Sequence, residues 1–148
     1  DIYKLREILS DDYLITVVGL SKNQEKTLPL NITSVQRTQN VQKLVELYSE
    51  SDVLINPTYA DTFPTVNIEA FACGTPVITY RTGGSPEAID EKTGVVVEQN
   101  VKELADAICR MKEKPLSAVD CRKRAELYFD KDKCFEEYIK LYEHLVKR

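Results

Sequence analysis

Five short apolar runs, separated by helix-patterned or turn-forming text, limit what this chain can fold into. Tyr13-Leu-Ile-Thr-Val-Val-Gly19 is β-branched and apolar on both faces, as a strand covered by helices on both sides must be. Ile32-Thr-Ser-Val35, Val53-Leu-Ile-Asn-Pro57, Pro76-Val-Ile-Thr-Tyr80 and Val95-Val-Val97 repeat the signal. Between them the apolar spacing changes to that of one helix face. Residues 1–9 carry apolar groups at 2, 5, 8 and 9. Residues 41–48 carry them at 41, 44, 45, 47 and 48 behind a capping Asn40. Residues 101–114 carry them at 101, 104, 105, 108 and 111 behind Asn100. Strand and helix alternate through residue 114, which predicts an α/β fold with a parallel sheet. Residues 21–29 read as an exposed polar loop. Beyond Pro115 two further helices are expected. One spans 116–129, with Ala118, Cys121, Ala125 and Tyr128 facing inward, and the other spans 134–146 as an amphipathic terminal helix.

The chain has 148 residues, enough for one domain with a core. Its net charge of −4 provides no basic surface, so nucleic acid is not an expected partner. No apolar run approaches the roughly 18 residues of a membrane span. The amphipathic start Asp1-Ile-Tyr-Lys does not read as a signal peptide, and a cytoplasmic setting is expected. The four cysteines, Cys73, Cys109, Cys121 and Cys134, form no CxxC pair and read as free thiols. Asn31-Ile-Thr33 matches a glycosylation sequon by chance on this reading. His144, the single histidine, reads as a surface residue of the last helix.

In parallel α/β sheets ligands bind beyond the carboxyl ends of the strands. Three loops qualify here: 36–40, 59–65 and 81–87. The second opens a helix near Phe63, with Pro64 in its first turn and Gly74 at the left-handed position past its end. The free N–H groups from Thr65 to Asn67 and the positive end of the helix dipole can hold an anion such as phosphate. Asp61 and Glu69 flank that start. Carboxylates repel phosphate but accept hydrogen bonds from hydroxyls. The combination fits a phosphate set between polyols, as in a sugar nucleotide. Spacing alone favours Asp61 as a helix cap and Glu69 as a solvated or salt-bridged residue over ligand contacts. Gly83-Gly84 reads as a turn, because neither GxGxxG nor a following Lys-Ser/Thr is present.

The string Asp61-Thr-Phe-Pro-Thr-Val-Asn-Ile-Glu69-Ala-Phe-Ala-Cys-Gly-Thr-Pro-Val-Ile78, followed by Thr82-Gly-Gly-Ser-Pro-Glu87 and Thr93-Gly-Val-Val-Val97, closely resembles the C-terminal domain of retaining GT-B glycosyltransferases, glycosyl transferases group 1 (family GT4). The resemblance runs through residues 13–114. It implies a Rossmann-like parallel sheet flanked by helices over 1–114, binding the nucleotide half of a UDP- or GDP-linked sugar, with the helices of 115–148 packing on it. It implies that Asp61, at a position usually held by Glu, contacts hydroxyls of the donor sugar, and that Glu69 holds the ribose hydroxyls. Backbone groups of Phe63, Thr65 and Val66 would meet sugar and diphosphate, and Gln36 and Arg37 would lie by the base. No cofactor or metal is implied.

The basic strand-loop that usually neutralises the diphosphate is not in this chain, nor is an N-terminal acceptor domain. The resemblance therefore implies a fragment of a larger enzyme, inactive alone, lacking the strand that lies mid-sheet in the order 3-2-1-4-5-6. The expected consequence is that strand 13–19 does not pair with strand 53–57, leaving free edges on both sides. The implied acceptors are glycans or lipid-linked glycans, with peripheral membrane association of the whole enzyme. A non-catalytic nucleotide-sugar-binding module and an α/β protein-interaction domain remain the alternatives.

Overall fold

A computed structural model describes residues 1–38 and 40–147. Gln39, in the loop expected beside the base, and Arg148 lie outside the described residues. The element order is α1 (Ile2–Ile8), β1 (Ile15–Val18), α2 (Lys22–Glu25), β2 (Ile32–Val35), α3 (Val41–Ser49), β3 (Leu54–Asn56), α4 (Thr65–Ala72) and β4 (Val77–Tyr80). A 3-10 turn (Ser85–Ala88), β5 (Gly94–Val97), α5 (Val101–Glu113), α6 (Ala118–Tyr128) and α7 (Lys131–Val146) complete it. Every strand pair is parallel. β1 pairs with β2 in the register Ile15 to Ile32. β4 takes β3 on one side, Leu54 opposite Val77, and β5 on the other, Val77 opposite Gly94.

The strands form two sheets, β1-β2 and β3-β4-β5. No ladder joins β1 to β3, so each keeps an unpaired edge among the described residues, and residues 13–19 do not pair with 53–57. Burial follows this arrangement. All four residues of central β4 are buried, whereas the three residues of β3 are each half-exposed. The two sheets still share a core. Ile15 and Ile32 pack in one cluster with Ile78, Tyr80 and Val97 from the other sheet, closed by Leu5 and Leu9 of the α1 segment and Leu104, Ile108 and Met111 of α5. The opposite face of β4 carries Val77 into a second cluster with Ala70, Phe71, Ala88, Cys121 and Ala125. β4 is thus clad on both sides, and burying a side chain such as Phe71 contributes about 1.5–3 kcal/mol.

Local chemistry sets the helix ends. Asn40, Asn100, Ser117 and Asp130 each accept a backbone N–H in the first turn of α3, α5, α6 and α7. α4 ends with Gly74 at φ +81°. Its last turn is closed by Gly74 N–H to Phe71 O and Thr75 N–H to Ala70 O, the paired bonds of a Schellman motif. The buried Arg6 donates to the carbonyls of Leu9, Ser10 and Tyr13, fastening the end of α1 to the approach of β1.

Several expectations change. The polar loop 21–29 contains α2, held by a reciprocal Ser21–Gln24 capping box. Asp130, in the gap expected between the helices of 116–129 and 134–146, caps α7, which already starts at Lys131. Tyr128 is 64% exposed, and the half-buried neighbour Phe129 packs on the second cluster in its place. The apolar stripe of α3 meets little cover: Val41 and Val45 are exposed, and no residue of α3 is buried. α3 connects β2 of one sheet to β3 of the other. α6 packs on α4. α7 buries none of its residues and leaves Phe135, Tyr138, Ile139, Tyr142 and Leu145 exposed.

Candidate functional site

The loop after β3 is built around its own backbone. The Asp61 carboxylate accepts the Phe63 N–H at 3.0 Å, closing a small side-chain turn. Pro64 is buried and is the N-cap rather than the first helical residue, with φ −70° and ψ 112°. It cannot donate or cap with its side chain, so α4 begins uncapped. The Asn67 N–H bonds back to Pro64 O at 3.2 Å. That leaves the N–H groups of Thr65 and Val66 without an acceptor among the described residues, and both residues are exposed. Free donors in the first turn are what an anion needs.

A buried polar chain fixes this start against the sheet. Asn56, the last residue of β3, donates its amide to Asn67 Oδ1 at 2.9 Å. Thr79 of β4 donates to Asn56 O at 3.0 Å and lies 3.1 Å from the Ser85 hydroxyl. Asn67 is fully buried, and its own Nδ2 has no partner. The ends of β3 and β4, the 3-10 turn and α4 are therefore joined through four polar side chains. The sequence pattern points to the Asn67 backbone but not to its side chain; an amide between Val66 and Ile68 is the one local signal of this role.

The Gly83-Gly84 turn packs directly on this loop. A Cβ on Gly84 would stand 2.1 Å from Thr62 O and 3.1 Å from Phe63 Cδ2, and one on Gly83 would stand 1.8 Å from Asp61 O. The Gly84 N–H donates to Thr62 O at 2.9 Å. On its other side the Phe63 ring meets Phe129 at 6.1 Å between centroids. The turn reading of the glycines stands, and their smallness has a use: it lets two backbones touch.

Glu69 lies four residues after Thr65, on the same helix face one turn on. It is half-buried, and its Oε2 accepts the Tyr48 hydroxyl at 3.1 Å. Burial, followed by the charge and hydrogen bond of Glu69, holds the Tyr48 phenol well above its ordinary pKa. Asp61, Phe63, Thr65, Val66 and Glu69 thus line one continuous segment. Gln36 and Arg37 are exposed in the loop that follows β2, a strand of the other sheet. Among the described residues no three His, Cys, Asp or Glu side chains come together in a way that could hold a metal ion. No helix among the described residues is long and apolar enough to cross a membrane.

The sequence profile described as glycosyl transferases group 1 matches residues 2–114. The chain belongs to that family. Among curated members, a D-inositol 3-phosphate glycosyltransferase of Saccharomonospora viridis is 36% identical over 87 residues, covering 57% of this chain and 20% of the relative. The chain therefore corresponds to a minor part of the glycosyltransferase relatives it matches. Sucrose-phosphate synthase from Thermosynechococcus elongatus superposes with a TM-score of 0.75 at 29% identity, over 89% of this chain and 38% of that one. Anabaena HepE, solved with UDP and glucose, superposes with a TM-score of 0.78 at 18% identity, over 95% of this chain and 43% of that one. These likenesses identify the α/β fold, parallel sheets flanked by helices and followed by C-terminal helices, as that of GT-B glycosyltransferases.

Proposed function

We propose that this chain is the donor-binding part of a glycosyltransferase that uses a UDP- or GDP-activated sugar and transfers the sugar with retention, without a metal ion. The uncapped, exposed start of α4 between Asp61 and Glu69 carries the proposal. The N–H groups of Thr65 and Val66 would receive the diphosphate, and the helix dipole would favour the negative charge that grows on it as the sugar leaves. Glu69 would hold the ribose diol. Asp61 and the Phe63 N–H would exchange their mutual bond for a sugar hydroxyl and a phosphate oxygen. Gln36 and Arg37 would border the base.

The reading treats residues 1–114 as the binding domain and 115–148 as helices attached to it. A strand from another segment would fill the break between β1 and β3, and basic residues beside it would complete the neutralisation of the diphosphate. An acceptor domain would supply a glycan or lipid-linked glycan, in a cytoplasmic enzyme resting on the membrane surface. This chain alone would bind nucleotide without turnover. Calorimetric titration with UDP and GDP tests the core of the proposal. One of them should bind, and Glu69→Ala should weaken it about 10- to 100-fold, the value of hydrogen bonds to a charged group. Binding of neither nucleotide, or affinity indifferent to Glu69→Ala, would remove the basis for it.

A further inference from the structure

We propose that Tyr48 is a positioning residue that sets the Glu69 carboxylate for the ribose, an inference resting on the nucleotide-binding reading above. Tyr48 and Glu69 lie 21 positions apart on different helices, and the pairing has no local sequence signal. The phenol donates to Oε2, which leaves Oε1 and the remaining lone pairs available to a ligand.

The donor is itself held at both ends. Its backbone carbonyl accepts the Thr75 hydroxyl at 2.6 Å. Thr75 is buried and closes the last turn of α4 by donating its N–H to Ala70 O at 2.9 Å. The Tyr48 ring packs against the second core cluster, which contains Ala70 and Phe71 of α4 itself. Tyr48 is therefore referenced to the same helix that carries Glu69, at its end through Thr75 and at its middle through the phenol. A free glutamate on a helix samples several rotamers, and fixing one before the ligand arrives reduces the ordering needed on binding.

The arrangement also assigns α3 a task beyond connection. Its start, capped by Asn40, follows the loop of Gln36 and Arg37, and its last turn carries Tyr48. One helix of nine residues thus spans from the proposed base loop to the ribose carboxylate.

Tyr48→Phe removes the hydroxyl and keeps the ring. The test titrates the 148-residue chain and this variant calorimetrically with UDP, GDP and the 2′,3′-dideoxy form of each, with circular dichroism to confirm equal folding. The wild type should prefer the ribose form by about tenfold or more. Tyr48→Phe should lose about five- to tenfold of affinity for it, with affinity for the dideoxy form unchanged within about twofold. An equal loss for both forms would mean that Tyr48 acts only as scaffold, and no loss for either would mean that Glu69 is set without it. Either result overturns the proposal and leaves the nucleotide reading standing. Wild-type binding without preference for the diol would overturn the Glu69 assignment and this proposal together. Absence of nucleotide binding would overturn the underlying reading and this inference with it.

Discussion

Gly84→Ala isolates the close approach between the two loops of the site. The Gly84 backbone has φ −85° and ψ 2°, which alanine adopts freely, so the substitution carries no conformational penalty of its own. The new methyl would stand 2.1 Å from Thr62 O. Reaching ordinary contact requires the Thr62 carbonyl to retreat by about 1 Å or more. That movement lengthens the Gly84 N–H to Thr62 O bond, now 2.9 Å, beyond the useful range of about 3.2 Å. The lost bond costs about 1 kcal/mol. The strain of accommodating a methyl in a packed contact adds about 1–3 kcal/mol. The expected loss of about 2–4 kcal/mol corresponds to a fall in Tm of about 5–15 °C in a domain of this size. Urea unfolding followed by circular dichroism, with a thermal scan alongside, reads it directly. A destabilisation well below about 1 kcal/mol would refute the reasoning, since it would mean that the loops are not in backbone contact.

Other perturbations test the supports of the site. Asn67→Ala should cost about 1–3 kcal/mol in urea unfolding, because it strips the half-buried Asn56 amide of its acceptor; a neutral variant would mean that the polar chain between β3, β4 and α4 contributes nothing. Asp90 should make part of the stability acid-sensitive. Burial pushes its pKa up, but hydrogen bonds from the Thr93 hydroxyl and the Lys92 N–H, together with Arg124, outweigh that and leave it below the ordinary value. With the folded pKa below the unfolded one, the stabilisation is complete above the unfolded value and is lost as pH falls through the folded value. Asp90→Asn should therefore flatten the stability profile below about pH 4, and an unchanged acid limb would contradict it. Cys121 is fully buried, and burial raises its thiol pKa to about 11. Thiol labelling mapped by mass spectrometry should mark exposed Cys109 in the native protein and Cys121 only on unfolding. Native-state labelling of both at one rate would show that the α4–α6 contact opens readily.

Much of the fold was legible because it rests on local signals. The alternation of doubly apolar strands with capped amphipathic helices identified all five strands, and Asn40, Asn100 and Gly74 mark boundaries that the structure keeps. The errors fall where a local signal has two meanings. Asp130 suits a break or a cap, and the first turn of the next helix decides between them. Tyr128 and Phe129 compete for one inward position at the end of α6, and the packing of α6 on α4 turns Phe129, half-buried, toward the second cluster. The short capped turn at Ser21–Gln24 was hidden by polarity, because Lys22-Asn-Gln-Glu25 contains no apolar residue that could show a period.

The site divides along the same line. Asp61, Pro64, Glu69 and Gly74 stand at fixed offsets around one short helix, so the sequence determined by itself that a helix start would sit between two carboxylates past a strand end. It also made residues 13–19 and 53–57 strands, whereas the absence of a ladder between them was implied only by the family resemblance and is borne out by the two separate sheets. Only the tertiary structure decided what each carboxylate touches. Asp61 closes its own loop on the Phe63 N–H, while Glu69 receives the hydroxyl of Tyr48 from another helix. Only the tertiary structure, likewise, made the glycine pair a contact surface. Hydrogen bonds and close approaches between residues distant in sequence depend on how helices and loops pack across the sheet, and no periodicity in the chain records that packing.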